Sequence, residues 1–260
     1  MEPILTYQSV EICFNGRAVT HDVSFSLHAG EILAIAGESG SGKSSLLRAA
    51  MGLLGREGLV TRGDIWFQGL DLPDLTERKL RQLRGAEISM IFQDAGASFC
   101  PIRTVGAQIF ESMAAHGKVT RAEARAQALQ LFDKLDLQDG ARIWDSYPFA
   151  LSGGMVQRVG IAAAMLMQPS VLLADEPTSA LDILTRQQVI REMLRRRELF
   201  GTAIVIVTHD IGVAAAMADT VLVLREGRTV EYGPAGRILS APRHPYTKQL
   251  LAAVPRLRRS

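Results

Sequence analysis

Residues Gly37 to Ser45 read GESGSGKSS. The stretch follows an apolar run, EILAIA, and precedes a helix-sized segment beginning at Lys43. Strand, then G-x-x-x-x-G-K-[ST], then helix is the context in which this pattern forms a phosphate loop. It constrains the fold more than any other feature, because the loop must leave a buried strand and open a helix, as in an α/β sheet. Gly37, Gly40 and Gly42 let the backbone wrap a polyphosphate, and the N–H groups of about Ser39, Ser41 and their neighbours to Ser44 cradle it. Lys43 puts a positive charge beside the β- and γ-phosphates. The Ser44 hydroxyl is placed to ligate Mg²⁺, and Ser45 serves the α-phosphate side. By itself the loop specifies a nucleoside triphosphate and nothing finer.

Three later strand ends add polar groups. VLLADEP, Val171 to Pro177, is an apolar strand that delivers Asp175 to its carboxyl end, where open α/β sheets bind ligands. Asp175 is expected to hold Mg²⁺, and Glu176 to polarise an attacking water as general base. TAIVIVTHD brings His209 to the same kind of edge, for a γ-phosphate contact. EISMIF, Glu87 to Phe92, ends at Gln93, which can reach Mg²⁺ and the water.

The rest of the chain organises around these runs. Early segments ILTYQSVEICF and DVSFSL read as strands, some antiparallel. From Val105 to Gln168 the pattern is helical and Ala-rich. Thr120 and Glu123 fit a capping box, and Ala124, Ala128, Leu131, Phe132 and Leu135 form a core-packing stripe. Gly201 stands where a helix C-cap belongs. The boundaries expected are an α/β core from 1–93 and 169–240, a helical insertion at 94–168, and a tail at 241–260. Net charge is +2, which gives no strong pull toward nucleic acid or acidic membrane, and the basic end Arg256 to Ser260 reads as a solvated tail. No apolar run approaches the roughly 18 residues of a membrane helix, and the start lacks a signal-peptide pattern, so a cytosolic chain is expected. Cys13 and Cys100 read as reduced thiols.

A second glycine turn stands over a hundred residues after the first. LSGGMVQR, Leu151 to Arg158, opens another helix, and a glycine-rich helix start is an anion site. Taken in order, GESGSGKSS, Gln93, LSGGMVQR, VLLADEPTSALD and VTHD resemble the nucleotide-binding subunit of an ABC transporter over nearly the whole chain. The resemblance implies an α/β fold: a P-loop NTPase (RecA-like) core with an antiparallel β subdomain and an inserted all-helical subdomain. It also implies an ATPase using ATP and Mg²⁺. Ser152, Gly153, Gly154 and Gln157 would then act on the ATP of a partner subunit paired head to tail, and Ser179 and Asp182 of SALD would run along that interface. Adenine would stack on Phe14, with Tyr7 as competitor. Met155 departs from the commoner Gln at the fifth signature position.

LRGAEISMIFQDAGASFCP and HPYTKQLLAAVP resemble the branch that imports dipeptides, oligopeptides, nickel and related chelates. The implied partners are a second ABC ATPase, identical or related, and two membrane permeases, with an extracytoplasmic binding protein acting indirectly and no nucleic acid. The implied location is peripheral, on the cytoplasmic face of the plasma membrane. Asp94 to Pro101 departs from the usual DPMTSLNP, with Cys100 where Asn is usual, and should contact a permease helix. The chain stops at Ser260 without the cysteine-rich extension of many peptide members, which resembles the nickel or metal-chelate subunits. The rival readings weighed are a soluble ABC protein of repair or translation, a small-molecule kinase, and a non-hydrolysing regulatory subunit. Repair types carry long heptads before LSGG and translation types carry two cassettes. A kinase needs no LSGG, and Glu176 with His209 argue for hydrolysis.

Overall fold

The computed structural model describes residues 2–252. They form two compact units, 2–80 with 203–252, and Arg81–Thr202. The basic end Arg256 to Ser260 lies outside the described residues.

The first unit opens with β1 (Leu5–Phe14) and β2 (Arg17–Leu27), an antiparallel pair, then β3 (Ile32–Ala36) and α1 (Lys43–Ala50). β4 (Gly58–Phe67) and β5 (Leu70–Asp71) follow, and α2 (Glu77–Leu83) spans the boundary. β1, β2, β4 and β5 make an antiparallel sheet in the order β2-β1-β4-β5. β4 is longer than the IWFQG run that marks it in sequence, because its first residues Gly58–Val60, set apart from that run by Thr61–Asp64, pair with the end of β1.

The second unit starts with the rest of α2 and β6 (Ile88–Ile91). Every element between β6 and the next strand is helical: a 3₁₀ turn at Gly96–Ser98, α3 (Val105–Ala114), α4 (Arg121–Lys134), α5 (Gly140–Asp145), a second 3₁₀ turn at Pro148–Ala150, and α6 (Gly153–Met165). The expected capping box is present at α4: Thr120 Oγ1 accepts the Glu123 N–H and the Glu123 carboxylate accepts the Thr120 N–H. Its stripe, Ala124, Ala128, Leu131, Phe132 and Leu135, is buried. Gly106 of α3 lies under the Trp144 ring of α5, and a Cβ there would come within 2.3 Å of it. Overpacking of that kind costs about 1–3 kcal/mol, so the smallest residue stands where two helices approach most closely. β7 (Val171–Asp175) pairs parallel with β6, and α7 (Ile183–Phe200) ends at Gly201 in the left-handed region, whose N–H donates to Arg197 O.

The chain returns to the first unit with β8 (Ala203–Val207), α8 (Ile211–Met217), β9 (Thr220–Arg225), β10 (Arg228–Pro234), α9 (Ala235–Ser240) and α10 (Pro245–Ala252). Here β3 is flanked on both sides, by β8 and β9 in parallel, and β10 closes the other side of β9 as an antiparallel hairpin. A strand paired on both edges and covered on both faces has no wet side. That explains why Ile32, Leu33, Ala34, Ile35 and Ala36 are all buried, as are Ala203 to Val207.

α10 is the HPYT segment of the sequence, and it is fastened to β10 by one carboxylate. Buried Glu231 accepts the backbone N–H groups of Arg243 and His244 at 3.0 and 3.2 Å. Burial alone would raise the Glu231 pKa, but those N–H groups and the Arg237 charge help to outweigh it and hold the carboxyl below its ordinary 4.5. A depressed folded value means a contribution complete above pH 4.5 and lost as pH falls through the lowered value. Glu231→Gln should therefore be less stable than the parent chain near neutral pH and converge with it only well below pH 4.5, as read by chemical denaturation across pH. A constant gap between the two at every pH would refute the account.

Candidate nucleotide site

The phosphate loop is shaped by close contacts that only glycine permits. Gly37 leaves β3 with φ 154°, and a Cβ on it would stand 2.1 Å from the Leu224 carbonyl oxygen of β9. Gly42 has φ 95°, and a Cβ there would meet Thr20 Cγ2 at 2.6 Å and Val19 O at 2.9 Å. Gly40 is also left-handed, at φ 79°, but nothing crowds it, so its requirement is conformational. Gly42 caps α1 without a side chain, leaving the N–H groups of the first turn to the loop. The Lys43 ammonium donates to Gly37 O at 2.8 Å, Glu38 O at 2.6 Å and Ser41 Oγ at 3.4 Å. These are oxygens of the loop itself, and phosphate oxygens would compete for the same ammonium. Ser39 and Gly40 are exposed, and Ser44 and Ser45 are half-buried.

His209 shares this edge. Ile35 of β3 lies opposite Val207 of β8, and the Thr208 N–H donates to Ile35 O at 3.3 Å, so the loop after β3 and the histidine after β8 emerge together. His209 is exposed. Phe14 ends β1 half-buried, and a Cβ on Gly58 would come within 2.7 Å of its Cε1. Tyr7, its competitor, is a core residue: it stacks on Phe25 at 4.3 Å and its hydroxyl donates to Leu46 O at 2.8 Å. Glu38, following Gly37, donates its N–H to the Tyr246 hydroxyl of α10 at 2.8 Å. No spacing in the sequence links positions 38 and 246.

The second unit brings the other candidates together. β6 and β7 run parallel with Ile91 opposite Ala174, so Gln93 and the Asp175–Glu176 pair leave at one edge. Asp175 is fully buried, Glu176 half-buried and Gln93 exposed. Glu176 has φ 45°, a left-handed backbone that a non-glycine residue rarely adopts outside constrained turns. The nucleotide-site candidates thus divide between the units. The loop, His209 and Phe14 belong to the first; Gln93, Asp175, Glu176 and the signature belong to the second.

In the signature, Ser152 caps α6, accepting the Met155 N–H at 3.4 Å. Ser152 and Gly153 are exposed, and no atom lies within 4 Å of a Cβ built on Gly153. Gln157, expected with these residues, is placed otherwise. It is buried, and its amide donates to Phe92 O at 3.4 Å and Pro177 O at 3.2 Å while accepting the Ala95 N–H at 3.3 Å. Its side chain ties α6 to the segments after β6 and β7, which uses the groups that would otherwise face a ligand. Asp182 caps α7, accepting the N–H groups of Leu184 and Thr185 and the Thr185 hydroxyl. The backbone N–H of Thr185 first, then its hydroxyl, pull the carboxyl below its ordinary value. Ser179 turns back on Glu176 O at 3.1 Å.

A groove of about 440 Å³ also lies in this unit, lined by Phe92, Phe99, Arg103, Ile109 and Met167 among others. Cys100 is exposed beside it, with its backbone N–H donating to Gln108 Oε1 at 2.8 Å. Cys13 is half-buried, 3.4 Å from Thr61 Oγ1.

A phosphate loop at the carboxyl end of a parallel strand, a following acidic strand and a glycine-opened helix define an ATP-binding cassette. Residues 20–179 match the family model of the ABC transporter, and residues 230–260 that of the oligopeptide/dipeptide transporter C-terminal region; the chain belongs to the ABC transporter ATPase family. Relatives include the oligopeptide transport ATP-binding protein OppD of Salmonella typhimurium, 44% identical across 91% of this chain and 70% of that protein. The dipeptide transport ATP-binding protein DppD of Bacillus subtilis is 40% identical across 99% and 78%. Among solved structures, a dimeric ATP-binding cassette in a post-hydrolysis state with ADP and Pi superposes at a TM-score of 0.80, with 27% identity, over 89% of this chain and 98% of that one.

Removing the Gln157 amide should leave the Ala95 N–H and two carbonyls without it. An unsatisfied buried polar group costs about 1–3 kcal/mol, so Gln157→Ala should lower unfolding stability by roughly that amount in urea titration. Unchanged stability would show that the amide is not a brace.

Proposed function

We propose that this ABC ATPase drives a peptide importer, pairing with a second ATPase subunit so that each LSGG turn completes the other's nucleotide site. The observation that carries the reading is the open start of α6. Ser152 and Gly153 are exposed, no atom crowds Gly153, and the chain has a complete phosphate loop of its own elsewhere. An anion site that is surplus to one chain's nucleotide fits a site for another chain's. Ser179 and Asp182 would lie along that interface, with Asp182 fixing the start of α7.

In this reading Lys43 and the loop N–H groups bind the phosphates, Phe14 carries the adenine and His209 contacts the γ-phosphate. Glu176 takes the proton of the attacking water, and Gln93 orients that water. Ser44, Gln93 and Asp175 offer hydroxyl, amide and carboxylate oxygens. That hard donor set suits Mg²⁺, which is usually held by one or two protein oxygens with phosphates and water. Among the described residues no group of three or more His, Cys, Asp or Glu could hold a metal ion unaided, so the cation here would lean on the nucleotide's oxygens. Mg²⁺ supplies charge neutralisation on the phosphates when bound.

Peptide cargo follows the names of the relatives; the nickel alternative rested on chain length. Two permeases are the expected membrane partners, and the groove beside residues 94–101 is a fitting seat for a permease helix. Among the described residues no helix is long and apolar enough to cross a membrane, so membrane attachment would come through those partners. Residues 94–168 would be the helical signature piece inserted in an α/β core of 1–93 and 169–240.

The test contrasts two variants. Lys43→Ala should lose MgATP binding. Glu176→Gln should keep binding, lose turnover by at least about a hundredfold as general-base removal does, and accumulate as an ATP-bound dimer in size-exclusion chromatography. Parent-level turnover by Glu176→Gln would end the general-base assignment, and a Glu176→Gln that stays monomeric in ATP would end the paired-site account.

A further inference from the structure

The phosphate loop is held at both ends of one peptide residue, and one of the holders comes from the far end of the chain. Glu38 O accepts from Lys43 at 2.6 Å, while the Glu38 N–H donates to the Tyr246 hydroxyl at 2.8 Å. The preceding Gly37 is pressed on Leu224 of β9. The next residue of that strand, Arg225, lies over the Tyr246 ring at 5.1 Å from its centre. Tyr246 is buried, and its helix is anchored at its start by Glu231 through the Arg243 and His244 N–H groups. β9, β10 and α10 thus converge on the first two residues of the loop.

We propose that Tyr246 is a positioning residue of the nucleotide site, through which the C-terminal segment sets the affinity of the loop for nucleotide. The inference rests on the loop binding ATP as read above. When phosphate oxygens compete for Lys43, the lysine's hold on Glu38 O weakens, while the Tyr246 hydroxyl still holds the N–H of the same residue. That tether keeps the Glu38 peptide where the following N–H groups can point inward. Without it the loop must be ordered at the moment of binding, and ordering is subtracted from affinity. A neutral hydrogen bond of this kind corresponds to about a two- to tenfold change in an equilibrium constant.

Tyr246→Phe removes the hydroxyl and keeps the ring under Arg225. In the full chain it should weaken MgATP binding by about two- to tenfold, measured calorimetrically, and speed hydrogen exchange at the Glu38 amide. Exchange across β10 and the melting temperature should stay as in the parent. In the assembled ATPase, KM should rise while kcat holds, the pattern of lost ground-state binding. Tyr232→Phe, which removes a hydroxyl bonded to Ser26 O instead, should bind MgATP as the parent does. Equal affinity for the parent and Tyr246→Phe would overturn the inference. So would a loss of affinity accompanied by faster exchange throughout β10, since that is general loosening. A parent chain that does not bind MgATP would overturn the ATP reading itself, and this inference with it.

Discussion

The carbonyl of Leu224 occupies the place a Cβ on residue 37 would need, 2.1 Å away. Much of the nucleotide site depends on that approach. It lets the loop leave β3 against the neighbouring strand, so the backbone turns at once and does not continue the sheet. Gly42 repeats the solution at the loop's other end, pressed on Val19 and Thr20 of β2. The antiparallel sheet and the parallel strands therefore each brace one end of the same nine-residue turn, Gly37 to Ser45. Between the two ends Gly40 is free of crowding, and Glu38, Ser39 and Gly40 are exposed. A rigid rim with an open middle suits an anion of variable length, because the fixed N–H groups lie at the helix start where the dipole adds to them.

How much of this could be read from the residues depends on whether the cause was local. The capping box at Thr120 and Glu123, the α4 stripe and the Gly201 cap involve partners three to eleven residues apart, and each appears as the spacing predicts. Buried strands such as ILAIA and VLLAD carry their burial in their composition. β4 was harder, because Gly58–Val60 pair only on the strength of β1 beside them. Tyr7 and Phe14 were both open as aromatic partners for a base until packing separated them: one hydroxyl reaches Leu46 O inside the core, the other ring ends a strand at the surface. The contact between Tyr246 and Glu38 spans 208 residues and has no pattern at all. HPYT is visible as a motif, yet only the fold shows which loop its tyrosine meets.

Gln157 carries the most consequential difference between pattern and structure. In sequence it belongs to the glycine turn, two residues past Met155. In the fold its side chain points back into its own unit, and three hydrogen bonds tie it to Ala95, Phe92 and Pro177. Phe92 and Pro177 flank Gln93 and Glu176 respectively, the two residues assigned to the attacking water. The start of α6 is thus bound through one amide to both segments that carry those residues. A buried amide with its donors and acceptor engaged resists displacement, since each broken bond leaves a desolvated group behind. Anything that shifts α6 must therefore carry the Gln93 and Glu176 segments with it or break these bonds. Glu176 sits in the left-handed region just there, so the linkage acts on a backbone that has little freedom to absorb the shift. An event at the exposed Ser152–Gly153 turn has a short route to Glu176, the proposed general base, through covalent neighbours and one amide.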